Sequence, residues 1–269
     1  MELRDSTALL LGGSGLVGMA VARRLFAFAP RRVIITGLTK DETEHAAREL
    51  RPEAGDTVVD VAWGNIFAPE DLAERAREGI LGDAAARRRL VEDYLGPYGQ
   101  SPLEQNLLYT WLATYRPALV VDCVNTATAV AYQDGHASAL ELLRAADAGA
   151  VTREGVERHL LTLPLPQLIR HMEVLFEGMR LAGTHTYVKI GTSGTGGMGL
   201  NIPYTHSEEK PSRTLMSKSA VAGAQSILLF LLGRTPGAPA TIEIKPTAAI
   251  AWREIGYGAI RRRGRTIEI

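Results

Sequence analysis

The sequence predicts a doubly wound α/β fold, a mostly parallel sheet with helices on both faces. Three observations predict it. Short runs rich in β-branched residues and leucine recur six times along the 269 residues, with helix-period segments between them. The runs are apolar throughout rather than alternating, the mark of strands covered on both faces and joined by helical crossovers. A glycine-rich turn, Gly12-Gly13-Ser14-Gly15-Leu16-Val17-Gly18, lies directly between the first run and the first helical segment.

The first run covers residues 7–11, and after it Leu16, Val17, Ala20, Val21, Leu25 and Phe28 keep helical spacing until Pro30 stops the pattern. After the second run, residues 32–36, Thr39 with Glu42 forms a capping box for a helix through Leu50. The third and fourth runs, 57–62 and 118–124, enclose a stretch from Glu74 to Tyr115 that exceeds a crossover's needs. It offers two helical segments split by Gly96-Pro97-Tyr98-Gly99. A second long stretch, 134–163, offers two more, split at 147–152. Insertions of this kind form lids or partner surfaces. A helix over 167–181 then leads into the fifth run, 186–191, and one over 217–232 into the sixth, 241–245. The expectation is one domain spanning 1–269, with helical insertions near 74–115 and 134–163 and no internal repeat.

An apolar fraction of 46% with 22% charged residues excludes disordered, collagen-like and multi-span membrane classes. Thirty basic residues balance thirty acidic ones, which removes the electrostatic case for nucleic acid. The basic runs at Arg87–Arg89 and Arg261–Arg263 read as solvated surface. Cys123 stands alone, so a disulfide or thiolate metal centre within one chain is excluded. The six histidines have no spacing that sets two on one helix face beside a carboxylate, so no metal is expected. The amino terminus lacks a secretion-signal core, and the longest apolar stretch, 227–232, falls short of a membrane span. A cytoplasmic location without membrane contact is expected.

The glycine turn carries the chemistry. Its glycines permit a tight bend and close approach of a pyrophosphate, and the following helix start supplies unpaired N–H groups and positive dipole. The residues expected to touch a dinucleotide there are Gly12, Gly13, Ser14, Gly15, Leu16, Val17 and Gly18. An acid that binds the adenosine ribose diol normally closes the second strand. Here that place reads Thr36-Gly37-Leu38-Thr39-Lys40, with no carboxylate before Asp41. Thr36 and Lys40 suit a 2′-phosphate, so the expected cofactor is NADP or NAD with a lean to NADP; the alternative for Lys40 is a surface loop.

At this point the pattern resembles the short-chain dehydrogenase/reductase superfamily, and its extended, epimerase/dehydratase-like branch in particular. Trp63-Gly64-Asn65-Ile66 is similar to the family's element after strand three, which implies that Asn65 and Ile66 approach the adenine. Asn125-Thr126-Ala127 resembles the turn after strand four that lines the cofactor. Thr192-Ser193 stands where the family carries its catalytic Ser, and Lys245-Pro246 where a basic residue and Pro close strand six, which adds Pro246 to the expected cofactor contacts. The resemblance implies a Rossmann-like, NAD(P)-dependent oxidoreductase or epimerase-like enzyme acting on a small carbonyl or carbinol substrate.

The family's Tyr-x-x-x-Lys signature pairs a phenol with an ammonium one helical turn away, which lowers the phenol's pKa. In this chain Lys218 keeps its place, touching the nicotinamide ribose by implication, but Thr214 stands where Tyr belongs. Three readings stay open. Tyr204 swings in as the proton donor beside Ser193; His206 or a water on Ser193 serves instead; or the chain is a dinucleotide-binding regulatory or scaffold protein without turnover. The helix over 217–232 is apolar almost all round and by resemblance pairs with its copy in a homodimer. Extended family members continue past strand six into a substrate cap, which is expected to be absent or truncated here.

Overall fold

The computed structural model describes residues 3–97, 99, 103–126, 133–191, 213–244, 261–262 and 265–266. Its elements run β1 (Thr7–Leu11), α1 (Leu16–Phe26), β2 (Arg32–Gly37), α2 (Lys40–Leu50), β3 (Val58–Trp63), α3 (Arg77–Gly82), α4 (Ala84–Leu95) and α5 (Leu107–Tyr115). They continue with β4 (Leu119–Asp122), α6 (Gly135–Asp147), α7 (Arg153–Leu160), α8 (Pro164–Ala182), β5 (Thr186–Ile190), α9 (Arg213–Arg234) and β6 (Ala240–Ile244). A short antiparallel pair follows, β7 (Arg261–Arg262) with β8 (Arg265–Thr266). The main sheet has six strands in the order β3-β2-β1-β4-β5-β6, every neighbour parallel. Order reverses between β1 and β4, so the crevice beyond their carboxyl ends is the place where such sheets bind ligands.

All five residues of β1 are buried because both faces are covered. On one face Ala8, Leu10, Val33 and Ile35 pack with Ala22 and Leu25 of α1 and Ala46, Ala47 and Leu50 of α2. On the other, Leu9, Leu11, Ile34 and Val120 meet Leu108 and Leu112 of α5 and Leu168, Leu175 and Met179 of α8. Each fully buried Leu or Ile contributes roughly 1.5–3 kcal/mol relative to exposure. The anticipated capping box is present: Thr39 Oγ1 accepts from Glu42 N–H at 3.4 Å while the Glu42 carboxylate reaches back to Thr39 N–H at 3.3 Å.

The structure departs from expectation in four places. Among the described residues of 74–115 three helices are named rather than two, because Asp83 accepts from the N–H groups of Ala85 (2.9 Å) and Ala86 (3.2 Å) and starts α4 afresh. Arg87 is no solvated face: it is 4% exposed, and its Nε donates to Glu157 of α7 at 3.0 Å, tying the two insertions together. The amino-terminal residues of α1 do not face the core, Leu16 being 91% exposed, and the helix ends at Phe26, leaving Phe28 outside it. Finally, Met216–Arg234 is long and apolar enough by composition to cross a membrane, with mean hydropathy 1.3 and 28% of it buried. The six-residue run considered in the sequence is therefore part of a longer apolar helix.

Candidate functional site

The turn after β1 is held by a side chain from β2. Thr36 Oγ1 donates to Leu10 O at 3.0 Å and accepts from Gly12 N–H at 3.2 Å, while Gly12 bends with φ +68°. Gly13 N–H donates to Leu10 O (3.2 Å), Ser14 N–H to Thr36 O (3.1 Å) and Gly15 N–H to Gly12 O (3.2 Å). The four amides of the turn itself are thus consumed in shaping it. Gly15 caps α1 with no side chain to accept a hydrogen bond, and the first helical bond is Met19 N–H to Gly15 O at 2.9 Å. The amides of Leu16, Val17 and Gly18 consequently have no partner among the described residues. Three adjacent N–H groups at the positive end of a helix are the elements of an anion site. The helix comes this close because Gly18 has no side chain: a methyl there would overlap Gly12 O and lie 2.5 Å from Gly13 Cα.

At the end of β2 the structure supplies a carboxylate that the sequence placed only in a cap. Glu42 folds back over Gly37, and its Oε1 accepts from Leu38 N–H and Thr39 N–H and lies 3.4 Å from Ser14 Oγ. Lys40 turns the other way, its ammonium 5.3 Å from the centre of the Trp63 ring.

Beyond the turn opens a cavity of about 500 Å³, within the range of small-molecule and cofactor sites. Gly12, Ser14, Gly15, Thr36 and Glu42 form one end of its wall, with Asn65, Ile66, Cys123 and Val124 beside them. Asn65 Oδ1 accepts from Phe67 N–H at 3.0 Å, which shapes the loop after β3. Burial pushes the Cys123 thiol up to about 12, so it stays protonated and is a poor nucleophile. The far end of the wall comes from the insertions and α8: Arg75, Arg77, Tyr94, Gln133 and Gln167.

Behind the β4 end of the cavity lies a buried polar cluster. Asp122, wholly buried, pairs through Oδ1 with Lys189 Nζ at 2.9 Å, and its Oδ2 accepts from Tyr187 OH at 2.8 Å. Lys189 also donates to Val124 O at 2.6 Å and Thr126 Oγ1 at 3.2 Å, and Gln225 Nε2 reaches the same hydroxyl at 3.0 Å. The ammonium thereby ties β4 and β5 to the turn that follows β4. Burial and the neighbouring carboxylate raise the Tyr187 phenol well above its ordinary value, so it stays protonated. Next to this cluster the His171 ring is tilted against Phe67, centroids 4.6 Å apart, with neither ring nitrogen bonded among the described residues, and burial lowers its pKa to about 4.

Of the expected contacts, Gly12, Ser14, Gly15, Thr36, Asn65 and Ile66 line one cavity. The structure places the others differently from one another. Gly13 and Gly18 are closely packed by backbone, and the side chains of Leu16 and Val17 are exposed, leaving only their amides turned to the site. Thr36 is 1% exposed with its hydroxyl committed to the turn, so it does not offer that hydroxyl to a phosphate. Thr126 is spent on Lys189 and Gln225 rather than on the cavity, and Lys40 stacks on Trp63. Asn125 and Lys218 are half-buried and outside the described wall, Lys218 in the second turn of α9 and Thr214 in its first. Ala127, Ser193, Tyr204 and Pro246 lie outside the described residues. Among the described residues no group of three or more His, Cys, Asp or Glu is gathered as a metal site.

The residues missed in the sequence are Glu42, Asp122, Lys189 and Arg77. A signal existed for two of them: a charged residue inside an otherwise apolar strand run, as in Leu119-Val120-Val121-Asp122 and Tyr187-Val188-Lys189-Ile190, demands a partner.

No family model and no curated protein matches the chain. Solved structures do. A metagenomic short-chain oxidoreductase in complex with NADP is 13% identical, TM-score 0.47, over 91% of this chain and 84% of that one. A 3-oxoacyl (acyl-carrier-protein) reductase from Agrobacterium tumefaciens with NADP bound is 16% identical, TM-score 0.47, over 90% and 70%. The Bordetella bronchiseptica enzyme WbmG, in complex with NAD and UDP, is 13% identical, TM-score 0.43, over 88% and 52%. The chain spans about half the length of Pen from Bacillus thuringiensis, at 49% of that chain. The six parallel strands, their order and the helices on both faces define a Rossmann-like α/β protein.

Proposed function

We propose that the crevice at the carboxyl ends of β1, β2 and β4 binds a nicotinamide adenine dinucleotide, and that the protein is an oxidoreductase or epimerase-like enzyme of the short-chain dehydrogenase/reductase type. The observation that carries this reading is the trio of unpartnered amides, Leu16 to Gly18, beside a cavity of about 500 Å³. The residues present fit the group: the α1 amides would hold the diphosphate, and the Asn65–Ile66 loop would meet the adenine. When bound, the nicotinamide would supply hydride chemistry to a small carbonyl or carbinol substrate. Ser193 would orient the substrate oxygen, Tyr204 would pass the proton, and Lys218 would hold the ribose, roles that rest on the family resemblance.

Glu42 turns the earlier lean towards NADP into a proposal for NAD. Its carboxylate lies at the end of β2, where it can accept from a ribose diol and would repel a 2′-phosphate. Titration with NADH and NADPH, followed by nicotinamide fluorescence, tests this. NADH is expected to bind at least about tenfold more tightly than NADPH, a difference of 1.4 kcal/mol. Glu42→Gln is expected to narrow the gap. Equal affinities, or no binding of either, overturn the respective claims.

A second reading, dinucleotide binding without turnover, is favoured by Thr214 at the signature position. A screen of carbonyl substrates with the wild type and Tyr204→Phe separates the two. Cofactor that binds but is never consumed supports the second reading. The exposed Ile227, Phe230 and Leu231 on α9 support the proposed pairing of this helix with a second copy. Light scattering is expected to find a dimer that Ile227→Glu dissociates; a monomeric wild type overturns it.

A further inference from the structure

The far end of the cavity holds a cation that forms no salt bridge among the described residues. Arg77 is half-buried, and burial depresses its pKa; Glu78 acts on it from a distance, yet no carboxylate forms a salt bridge with it among the described residues. Its Nη2 donates to Gln133 Oε1 at 2.9 Å and to Leu161 O at 3.0 Å. Those two contacts use two of the five donors a guanidinium carries. The other three have no partner among the described residues.

The acceptors around Arg77 are arranged to fix it rather than to neutralise it. Gln167, 3% exposed, donates from Nε2 to Gln133 Oε1 at 3.1 Å and to Leu161 O at 2.9 Å. The two oxygens that hold Arg77 are thereby held themselves. The fork is held by two neutral oxygens, themselves fixed by Gln167, and the nearest acid acting on it, Glu78, does so at a distance and without a salt bridge. Tyr94 of α4 stands close enough for the arginine to act on its phenol, and Arg75, paired with Asp83 at 3.1 Å and donating to Gly79 O at 3.2 Å, lines the same wall. A partly dehydrated, oriented guanidinium costs free energy unless an anion shares the site. Bidentate pairing with a carboxylate or phosphate is what the guanidinium's geometry favours.

We propose that Arg77, with Tyr94 and Arg75, forms an oxyanion-binding subsite that takes the carboxylate or phosphate of a small substrate. This inference rests on the reading of the crevice as the dinucleotide site, and it adds the substrate class: an anionic carbonyl or carbinol compound. It places substrate recognition on the insertion between β3 and β4.

The test uses the full chain and inorganic phosphate or malonate as probes, read by calorimetry with and without saturating NADH. NADH titration is run in parallel. The wild type is expected to bind one of the probes with NADH present, and Arg77→Gln, which keeps an amide donor for Leu161 O, to weaken that binding at least about tenfold while NADH affinity changes less than about twofold. Arg77→Lys is expected to retain part of the binding. Circular dichroism checks each variant; should Arg77→Gln fail to fold, Tyr94→Phe with Arg75→Gln is expected to weaken the probe by at least about threefold. NADPH separates the sources: if Arg77→Gln weakens NADPH but not NADH, the anion is the cofactor's own 2′-phosphate, and the substrate assignment is overturned. Probe binding unchanged by Arg77→Gln, or absent while NADH binds, overturns the inference alone. Absence of NADH binding overturns the dinucleotide reading, and the probe titration on the free protein then judges Arg77 separately.

Discussion

Replacing Lys189 by Met isolates the buried pair behind the cavity. The substitution keeps the stem's volume but leaves Asp122, wholly buried, with two donors, Tyr187 OH at 2.8 Å and Val124 N–H at 2.9 Å, and no cation. Removing one member of a buried ion pair costs about 3–5 kcal/mol. Val124 O and Thr126 Oγ1 lose their ammonium donor as well. At roughly 2–4 °C per kcal/mol for a chain of this size, Lys189→Met is expected to lower the melting temperature by about 6–20 °C. Adding Asp122→Asn removes the stranded charge, and the double variant is expected to recover at least about 2 kcal/mol of the loss. Urea unfolding followed by tryptophan fluorescence completes the cycle, which assigns the difference to the pair. NADH titration of the folded variants adds a functional reading, because Lys189 holds the turn after β4. A loss below about 1 kcal/mol for Lys189→Met, or additive single effects, refutes the reasoning.

Three other outcomes are expected. Gly18→Ala forces α1 away from the glycine turn and is expected to cost about 1–3 kcal/mol and weaken NADH, whereas Gly223→Ala, with open space around its position on α9, is expected to gain up to about 1 kcal/mol; thermal melts that rank the two the other way contradict the packing argument. Asp93 is 1% exposed with neither carboxyl oxygen bonded among the described residues, and burial raises its pKa to about 6 against Arg170 and Arg89, which favour the charged form. The folded state therefore prefers the neutral acid, its penalty is fully present above pH 6 and vanishes towards pH 4, and Asp93→Asn is expected to stabilise by roughly up to 3 kcal/mol at pH 8 with no gain at pH 4. His171 runs in the opposite sense: its folded pKa of about 4 lies below the ordinary 6.5, so stability falls as pH drops through that interval, and His171→Leu is expected to flatten the acid limb of a urea-midpoint profile.

Much of the fold was legible because its signals are local. Runs of β-branched residues and leucine marked all six strands, although β6, Ala-Thr-Ile-Glu-Ile with no residue buried, is not the doubly covered strand expected, because it is the edge of the sheet; Thr39 with Glu42 announced the start of α2, since a capping box needs only four residues. The division of 74–115 was less legible: Gly96 and Pro97 advertised one break, whereas the break at Asp83 depended on a single side chain accepting from two amides. The basic run containing Arg87 looked like surface until Glu157, 70 positions away, came to meet it. In the site, the glycine turn was evident from its spacing, but its occupants were misassigned in part. Spacing does not reveal that Thr36 consumes the Gly12 amide and leaves those of Leu16 to Gly18 unpaired.

The sequence by itself determined the alternation of strands and helices, the glycine turn and the caps, because backbone propensity, apolar period and side-chain-to-backbone bonds act over a few residues. Tertiary structure alone decided what faces the cavity. Glu42 lies there because α2 packs back onto β2 and β3; Lys189 meets Asp122 because β5 pairs with β4; and Arg77 meets Gln133 across 56 positions. Charges and hydrogen bonds act through space, and only the folded sheet and its insertions bring those partners within reach.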